Sequence, residues 1–391
     1  MNNSRRTAAF IVARWLATRD FPAAMLPEDG PDRAFVQDLV YTVIRRLRAL
    51  RRALGELVRQ WPKGELEALL YAGAAQILFM PDVPDFAAVN ETVDAAKACG
   101  NPGIARMVNG VLRNLVRRRD EIARLLADAP VEERESYPTA LYRRWVARYG
   151  AGRAEALAKW HNEPAETFLA YPDGRFERLA RGRRVADAEG YAQGAFVVQD
   201  PATALAVGLV DAAPGEEVLD ACAAPGGKSA QLAWRGAKVT ACEVNPRRRA
   251  RLEENLRRLG LGVETVGDFP DRRFAKVLVD APCSNTGVIR RRPDARWNWS
   301  EEKLAALVKL QTEILDRAAA CVAPGGRLVY STCSNEPEEN LGQMESFLSR
   351  HPDFILVDTR ESFPPESGHD GAFAALLSQK TETRGSSESQ A

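Results

Sequence analysis

The chain has 391 residues and carries 54 Lys and Arg against 53 Asp and Glu, so its length allows two or three domains and its net charge predicts no partner. No apolar run reaches the roughly 18 residues of a membrane-spanning helix, and the N-terminus lacks the apolar core of a signal peptide. Six cysteines without the spacing of a zinc site argue against a disulfide framework and a metal centre. We expect a soluble, cytoplasmic, monomeric protein with no membrane partner and no metal.

Residues 1–125 are predicted to form an all-α domain. Apolar residues recur at helical spacing in at least five segments, and no segment alternates with the period of a β-strand. In residues 1–120, 18 basic residues stand against 13 acidic ones, and the basic residues cluster at 45–52 and 117–119. One such cluster is as compatible with a solvated helix face as with a binding surface, but several in one domain favour a polyanion as partner.

Three stretches of this region resemble the helical RNA-binding fold of the antitermination factor NusB. They read DRAFVQDLVYTVIRRLRAL, DVPDFAAVNETVDAAK and MVNGVLRNLVRR. The resemblance spans roughly residues 5–120 and implies that this domain binds RNA.

Residues 126–200 give a mixed pattern. Two helical segments precede a possible β-hairpin with its turn at Asp173-Gly174, and a strand ending near Gln199 leads into a helix entered through Pro201. We interpret this region as a connector between two domains.

From residue 201 to 380 the pattern is that of a second domain, in which strands alternate with helices. This alternation predicts a doubly wound, mostly parallel sheet that binds its ligands at the carboxyl ends of the strands. The tail, residues 381–391, is rich in Ser and Glu and is expected to be disordered. Strands are expected at 217–219, 238–242, 263–266, 275–279 and 327–330, and a last strand at 373–377 is expected to form one edge of the sheet.

The sequence EVLDACAAPGGKS, from Glu217 to Ser229, predicts a strand, a tight loop and the start of a helix. Gly226 and Gly227 have no Cβ, so the loop can turn sharply and a ligand can approach its backbone. The loop lacks the G-x-G-x-x-G pattern of a dinucleotide site. No full P-loop pattern surrounds Lys228, although that lysine could bind a phosphate. A nucleoside cofactor without phosphates, S-adenosylmethionine, fits this loop better.

Two acids follow the next two strands at the same edge of the predicted sheet. Glu243 lies where a carboxylate can accept both hydroxyl groups of a ribose, and Asp268 could accept the adenine amino group. Each could instead only cap the helix that follows it, but their positions at strand ends favour the cofactor. The predicted cofactor-binding residues are Cys222, Ala223, Ala224, Pro225, Gly226, Gly227, Lys228, Glu243, Asp268 and Asp280.

Two cysteines lie just beyond two further strands. Cys283 follows one strand in the sequence DAPC, and Cys333 follows another in the sequence STCS. The usual role of a cysteine is that of a small buried apolar residue, which we expect for Cys99, Cys242 and Cys321. Packing alone does not require two thiols at the ligand edge of one sheet, so we predict that Cys283 and Cys333 take part in chemistry.

Four stretches of this domain resemble the motifs of the RNA cytosine-5 methyltransferases: DACAAPGGKSAQLA, ENLRRLGL, VLVDAPCSNTGVIRRRPDARW and LVYSTCSNEPEEN. With the NusB-like N-terminus, they make the chain most similar to the branch of that family that acts on small-subunit, 16S, ribosomal RNA. The resemblance implies an all-α NusB-like domain followed by an α/β Rossmann-like S-adenosylmethionine methyltransferase domain with a mostly parallel sheet. It also implies that residues 126–200 hold a reduced RNA-binding subdomain.

The resemblance implies a role for each residue of the catalytic site. Cys333 is expected to add to carbon 6 of the cytosine, which makes carbon 5 able to attack the methyl group. Cys283 is expected to help release the covalent adduct, and Asp280 to bond the ring nitrogen and the amino group of the base. Lys228 is expected to orient Asp280 or to lower the pKa of a thiol. The target base must be unstacked or lie in single-stranded RNA.

Several alternatives stay open. The run 290–299 could contact phosphates and stack on a base, or it could be surface charge with a packed tryptophan. Glu243 stands where the family more often has Asp, and the short connector keeps tRNA or another rRNA site as alternative substrates. A non-catalytic RNA-binding assembly factor is the alternative of a different class, but the intact Cys283, Cys333 and Asp280 argue against it.

Overall fold

The computed structural model describes residues 4–28, 30, 32–98 and 102–380. Cys99 and the tail predicted to be disordered, residues 381–391, lie outside them. The chain forms two compact units. The helical unit comprises the residues up to Glu163 and the segment Ile289–Trp299, and the sheet unit comprises Pro164–Val288 and the residues from Ser300 onward.

In chain order the helices are α1 Ser4–Thr18, α2 Arg33–Arg45, α3 Leu47–Gly55, α4 Glu65–Phe79, α5 Asp85–Lys97, α6 Pro102–Arg117, α7 Arg119–Ala127, α8 Val131–Arg134, α9 Thr139–Tyr149, α10 Ala151–Trp160, α11 Ala204–Val210, α12 Gly227–Trp234, α13 Pro246–Arg258, α14 Ala295–Asn298, α15 Glu301–Ala320, α16 Leu341–Arg350 and α17 Pro364–Ser367. The strands are β1 Phe168–Ala170, β2 Phe176–Arg178, β3 Val197–Val198, β4 Glu217–Asp220, β5 Lys238–Cys242, β6 Glu264–Val266, β7 Phe274–Asp280, β8 Val322–Thr332, β9 Phe354–Ser362 and β10 Ala372–Gln379.

The helical unit is built around α4, because this helix is apolar on every side. All ten residues from Ala68 to Ile77 are buried, and a helix that is hydrophobic all round belongs in a core. Helices α1, α2, α5 and α6 contact it, and α6 approaches so closely that a Cβ on Gly73 would overlap Leu112. The predicted all-α fold of the N-terminal region is confirmed.

The division of the chain differs from the predicted one in two places. Residues 126–163 belong to the helical unit, where the sequence predicted the start of a connector. Helices α9 and α10 pack on each other and bury Trp145 and Leu157, so they extend the helical unit. Residues 289–299, in the middle of the predicted second domain, belong to the helical unit as well.

Arg296 anchors the second of these segments. Its side chain is 0% exposed, and its guanidinium donates to the carbonyls of Glu135 and Ser136 at 3.1 and 3.2 Å and to Asn162 Oδ1 at 3.0 Å. The guanidinium also lies 4.2 Å from the centroid of the Tyr137 ring, a favourable cation–π distance. Arg296 is therefore neither a phosphate contact nor a surface charge, and both interpretations of the run 290–299 are wrong for this residue.

The helical unit should lose stability in mild acid because of His161. Its ring is buried, and Nδ1 lies 2.8 Å from the hydroxyl of Tyr137. Burial, with the nearby charge of Arg296, lowers the pKa of His161 well below 6.5. The unfolded chain therefore takes up a proton near pH 6.5 that the folded chain excludes, and folding becomes less favourable as the pH falls.

The matched variant is His161→Gln, whose side chain can accept the same hydrogen bond but does not titrate. Between pH 6.5 and 5.0 we expect the unfolding free energy of the unaltered protein to fall by about 1.5–2 kcal/mol relative to the variant. Urea unfolding at several pH values measures this difference. A difference between the two proteins that is constant over this pH range would contradict the prediction.

The sheet unit contains a seven-stranded, mostly parallel sheet in the order β6-β5-β4-β7-β8-β10-β9, in which β10 runs antiparallel to its neighbours. Helices cover both faces, with α15 and α16 on one face and α11 and α12 on the other. Residues of β8 alternate between the two faces: Leu328 and Tyr330 pack on the first and Val329 on the second. The predicted fold class is confirmed.

One strand of this sheet was not predicted. β9 forms the edge, and β10, which contains the predicted edge strand 373–377, lies between β8 and β9. The predicted edge position is therefore wrong. Phe354 is buried at the start of β9, whereas the next three residues, Ile355, Leu356 and Val357, are 48%, 38% and 55% exposed. An edge strand whose faces are both partly open needs no alternation of apolar and polar residues, so its sequence lacks the period of two.

A small antiparallel sheet in the order β2-β1-β3 precedes the large sheet. The turn at Asp173-Gly174 joins β1 to β2, and Gly174 has a φ of +83°, which L side chains rarely adopt. This small sheet is the part of the expected connector that belongs to the sheet unit.

Candidate active site

The carboxyl ends of the parallel strands meet at one edge of the large sheet, and the glycine loop between β4 and α12 lies there. Gly226 has a φ of +106°, and a Cβ on it would lie 2.8 Å from Leu252 Cδ1, so both the conformation and the space require glycine. Asp220, the last residue of β4, accepts a hydrogen bond of 2.6 Å from Ser229 Oγ on α12. Burial raises the pKa of Asp220 to about 6. The residues predicted from Cys222 to Lys228 form this loop and the first turn of α12.

Two acids follow β5 and β6 at the same edge. The Glu243 side chain is 4% exposed, and its Oε1 accepts the backbone N–H of Asn245 at 2.9 Å while Oε2 lies 3.3 Å from Arg248 Nε. Asp268 is exposed, and its Oδ1 accepts the backbone N–H of Phe269 at 2.9 Å and pairs with Arg317. Carboxylate acceptors thus lie at the ends of two strands, beside a loop that has no Cβ atoms at its turn. This arrangement fits an adenosyl cofactor.

Lys228 and Asp280 form an ion pair between the glycine loop and the end of β7. Lys228 Nζ lies 2.6 Å from Asp280 Oδ2, and Ser331 Oγ donates to Asp280 Oδ1 at 2.8 Å. Burial works against the charge on Lys228, but the neighbouring Asp280 carboxylate more than offsets it and raises the pKa of the lysine. Lys228 is therefore a permanent cation at neutral pH, and it fixes one oxygen of Asp280.

The two predicted thiols lie side by side, because β7 and β8 are parallel neighbours in which Asp280 pairs with Ser331. Cys283 Sγ lies 3.2 Å from Cys333 Sγ. Cys283 is buried, and Cys333 is the more accessible of the two. The hydrogen bond with Cys333, together with burial, raises the pKa of Cys283 well above its usual value. Cys283 is thus held as a thiol that can donate a hydrogen bond to the sulfur of Cys333.

Asn285 also contacts both thiol-bearing segments, although the sequence analysis did not identify it. Its backbone has a φ of +59°, its Nδ2 donates to the Cys283 carbonyl at 2.9 Å, and its Oδ1 lies 3.4 Å from Cys333 Sγ. The one signal in the sequence was its position two residues after Cys283. Asparagine tolerates this left-handed conformation better than most residues, so the position can carry a polar side chain at the thiols.

A small cavity connects several of these groups. Cys333, Asp280 and Lys228 line it, as do Asp200 and Asp370, which the sequence analysis did not predict. Asp200 Oδ1 accepts the backbone N–H of Asp370 at 3.1 Å, so the loop before β10 is tied to the segment that leads into α11. The cavity offers a thiol, a fixed carboxylate and a cation to one small ligand.

The other cysteines of the sheet unit lie in apolar or acidic surroundings. Burial raises the pKa of Cys242 to about 11, and it also raises the pKa values of Cys222 and Cys321. Thiols of this kind are poor nucleophiles at neutral pH. Within the described ranges, no group of His, Cys, Asp and Glu side chains is arranged to hold a metal ion, and no helix combines the length and the apolar composition of a bilayer crossing.

Comparison with known families gives two matches along the chain. Residues 207–378 match the family model of the 16S rRNA methyltransferase RsmB/F, and residues 2–117 match that of the NusB family. The chain is 34% identical to the ribosomal RNA small subunit methyltransferase B of Erwinia tasmaniensis over 91% of this chain and 92% of that protein. It is also 34% identical to the protein of the same name from Pectobacterium atrosepticum, over 96% and 98% of the two chains.

Two solved structures share the fold. The crystal structure of PH0851 superposes with a TM-score of 0.75 at 23% identity and covers 96% of this chain and 99% of that chain. A methyltransferase homolog protein from Pyrococcus horikoshii superposes with a TM-score of 0.57 at 22% identity, over 64% of this chain and 97% of that chain.

Proposed function

Because the chain belongs to the ribosomal RNA small subunit methyltransferase B family and is an S-adenosylmethionine-dependent methyltransferase, we propose that it methylates carbon 5 of a cytosine in 16S ribosomal RNA through a covalent bond to Cys333. The observation that carries this proposal is the pair of sulfur atoms 3.2 Å apart, of which that of Cys333 faces a cavity shared with Asp280 and Lys228. Carbon 5 of cytosine is a poor nucleophile, so the reaction needs a group that adds to the ring and is later expelled.

Cys333 is the proposed nucleophile. Its thiolate bonds to carbon 6, and the electron pair of the double bond between carbons 5 and 6 becomes available at carbon 5, which then accepts a methyl group. When bound, S-adenosylmethionine supplies that methyl group as an electrophile. Removal of the proton from carbon 5 re-forms the double bond and breaks the bond between Cys333 and carbon 6. The net change is a methyl group in place of one proton: the proton passes to solvent, S-adenosylhomocysteine is the second product, and the thiolate is regenerated.

Cys283 is proposed to assist the last of these steps. Because it is held as a thiol, it can donate a hydrogen bond to the sulfur of Cys333. That hydrogen bond stabilises negative charge on Cys333 as the bond to carbon 6 breaks, since hydrogen bonds to charged acceptors are stronger than those to neutral ones. Without it, the adduct should persist.

Asp280 and Lys228 are proposed to bind and orient the base. Each oxygen of Asp280 has one partner, Lys228 or Ser331, and keeps lone pairs that can accept from the amino group of a cytosine and, when it is protonated, from the ring nitrogen. Because Lys228 is charged and fixed, it also stabilises the negative charge that enters the ring when the thiolate adds. The two residues would act before release, so their loss should slow formation of the adduct.

The cofactor is proposed to bind along the glycine loop with its ribose at Glu243. Replacement of Glu243 by alanine should raise the dissociation constant of S-adenosylhomocysteine about 30- to 100-fold, because two hydrogen bonds to a carboxylate are worth about 2–3 kcal/mol together. Calorimetric titration measures this. The matched control is Glu254→Ala, which removes an exposed carboxylate from α13 and should leave the affinity unchanged. Equal affinities for the two variants would refute the assignment of Glu243.

The substrate is tested with labelled S-adenosylmethionine and three RNAs: protein-free 16S ribosomal RNA, the assembled small subunit and bulk tRNA. We expect label in 5-methylcytidine, recovered from 16S ribosomal RNA after digestion to nucleosides. Label in tRNA alone would refute the substrate and leave the chemistry intact. Binding of the cofactor without methylation of any RNA would favour a non-catalytic RNA-binding assembly factor. An rRNA substrate also places the protein in the cytoplasm, and we propose that it acts as a monomer.

A further inference from the structure

A buried carboxylate lies directly behind both thiol-bearing loops. Glu339 is 0% exposed, and its Oε1 accepts the backbone N–H of Ser284 at 2.8 Å. Its Oε2 accepts hydrogen bonds from the hydroxyl groups of Ser284 and Ser334. Ser284 is the residue after Cys283, and Ser334 is the residue after Cys333. One carboxylate therefore bridges the two loops at corresponding positions.

The bridge is supported by further hydrogen bonds on the same side. Gln311 Nε2, on α15, donates to Glu339 Oε1 at 2.9 Å and to the carbonyl of Pro282 at 2.9 Å, so it fixes the residue before Cys283 as well. The two serine hydroxyls lie 3.1 Å apart. The Glu339 backbone is itself held, because the Tyr330 hydroxyl donates to its carbonyl at 2.8 Å. The carboxylate is thus anchored to β8 and α15, the rigid elements beside the site.

We propose that Glu339 is a positioning residue that keeps Cys283 within hydrogen-bonding distance of Cys333. The consequence for catalysis rests on the proposed function, whereas the distance between the thiols does not. An ionised carboxylate only accepts hydrogen bonds, and here all of its partners are donors from the two loops and α15. Without that common acceptor, four donor groups lose a buried charged partner: the N–H and the hydroxyl of Ser284, the hydroxyl of Ser334 and Nε2 of Gln311. The loops must then shift to satisfy these donors elsewhere.

The charge of Glu339 supports the same role. Burial raises the pKa of Glu339, and the hydrogen bonds from Ser284 and Ser334 oppose this rise by favouring the charged form. The negative charge of Glu339 also raises the pKa of Cys283, in addition to the hydrogen bond with Cys333 and burial. Glu339 therefore favours the protonated state of Cys283, in which that thiol can donate to Cys333.

The first test measures the distance between the thiols and needs no RNA. Diamide oxidises two neighbouring thiols to a disulfide and takes up their two hydrogens, so the rate at which the Cys283–Cys333 disulfide forms reports their proximity. Mass spectrometry of the linked peptide follows that rate. We expect Glu339→Ala to form the disulfide at least about tenfold more slowly than the unaltered protein. The matched control, Glu338→Gln at the exposed neighbouring position, should react at the original rate.

Two further variants separate a positioning role from a loss of folding. In Glu339→Gln the amide oxygen can still accept from Ser284 and Gln311. The amide nitrogen can donate to the serine hydroxyls, which can rotate to accept. The disulfide rate should therefore recover to within about threefold of that of the unaltered protein. The double variant Ser284→Ala and Ser334→Ala keeps the carboxylate and removes its hydroxyl donors, and it should behave like Glu339→Ala. If Glu339→Ala does not fold, as judged by its thermal transition, the disulfide rate of this double variant tests the positioning role in its place.

The second test measures turnover on the RNA substrate. Glu339→Ala should lower kcat at least about tenfold, change KM for RNA by less than about threefold, and accumulate a denaturation-resistant protein–RNA adduct. Disulfide formation and turnover within twofold of the unaltered protein would overturn the proposal. If the disulfide rate falls as expected but the unaltered protein methylates no RNA, the proposed function fails and the positioning of the thiols by Glu339 stands.

Discussion

Replacement of Cys333 by alanine should abolish methyl transfer, whereas replacement of Cys283 by alanine should trap a covalent adduct between protein and RNA. Without the Cys333 sulfur no bond to carbon 6 can form, and loss of a nucleophile of this kind costs at least about 10⁴-fold in turnover. In the proposed reaction without Cys283, the Cys333 thiolate should still add to the base and methylation should still occur. The leaving sulfur would then lack its neighbouring thiol, which lies 3.2 Å away and can donate a hydrogen bond to it.

The measurement combines labelled RNA with a denaturing gel. The Cys283→Ala protein should carry RNA through denaturation, and Cys333→Ala should carry none. A matched control is Cys321→Ala, which removes a buried thiol at the end of α15 and should methylate RNA at the original rate without a trapped adduct. If Cys333→Ala traps the adduct and Cys283→Ala abolishes methylation, the two thiols have the opposite roles. The same result for both variants would show that the two thiols do not have different roles.

Replacement of Arg296 by methionine should destabilise the helical unit by about 3–5 kcal/mol, the range for removing one partner from a buried charged network. The methionine side chain has a similar length but no donors, so the carbonyls of Arg45, Glu135 and Ser136 lose the N–H groups that satisfy them. Burial lowers the pKa of Arg296 to about 10, which still leaves the guanidinium charged at neutral pH. The destabilisation should therefore be present throughout the physiological range.

Urea unfolding followed by tryptophan fluorescence measures this loss. Arg143→Met, at an exposed position of α9, is the matched control and should change the unfolding free energy by less than about 0.5 kcal/mol. Arg296→Lys should lie between the two, because an ammonium keeps the charge but cannot reach all the carbonyls that the planar guanidinium bonds at once. A loss below about 1 kcal/mol for Arg296→Met would show that the network contributes little.

The parts of the fold that the sequence predicted are those with a regular burial pattern. From Glu217 onward, short apolar strands alternate with amphipathic helices, and this alternation is what two covered sheet faces require. β9 was not predicted because most of its apolar residues lie on an edge strand where neither face is fully covered. The run 290–299 was open to two interpretations, because a basic and aromatic composition suits both an RNA-binding surface and surface charge beside a packed tryptophan. Neither interpretation predicted the buried network around Arg296.

The candidate site was predictable where a residue lies in a motif at the end of a strand. Cys283, Cys333, Asp280 and Lys228 lie in such motifs, and the structure brings them to one edge of the sheet. Asp200 lies outside the motifs, and Glu339 lies within LVYSTCSNEPEEN but several residues beyond the end of its strand, so neither was identified as a site residue. The carboxylate of Glu339 contacts Ser284 across 55 positions of sequence, and no local pattern distinguishes a glutamate that bridges two loops from one that is solvated.

The segment 289–299 has a consequence for how this protein can change over evolutionary time. The chain leaves the sheet unit after Val288, contributes a piece to the helical unit, and returns at Ser300. The two units therefore alternate along the sequence and are not two continuous segments that follow one another. Recombination at residue 163 would transfer a helical unit that lacks its own Arg296. An exchange that keeps the network of Arg296 intact therefore has to move both pieces of the helical unit together.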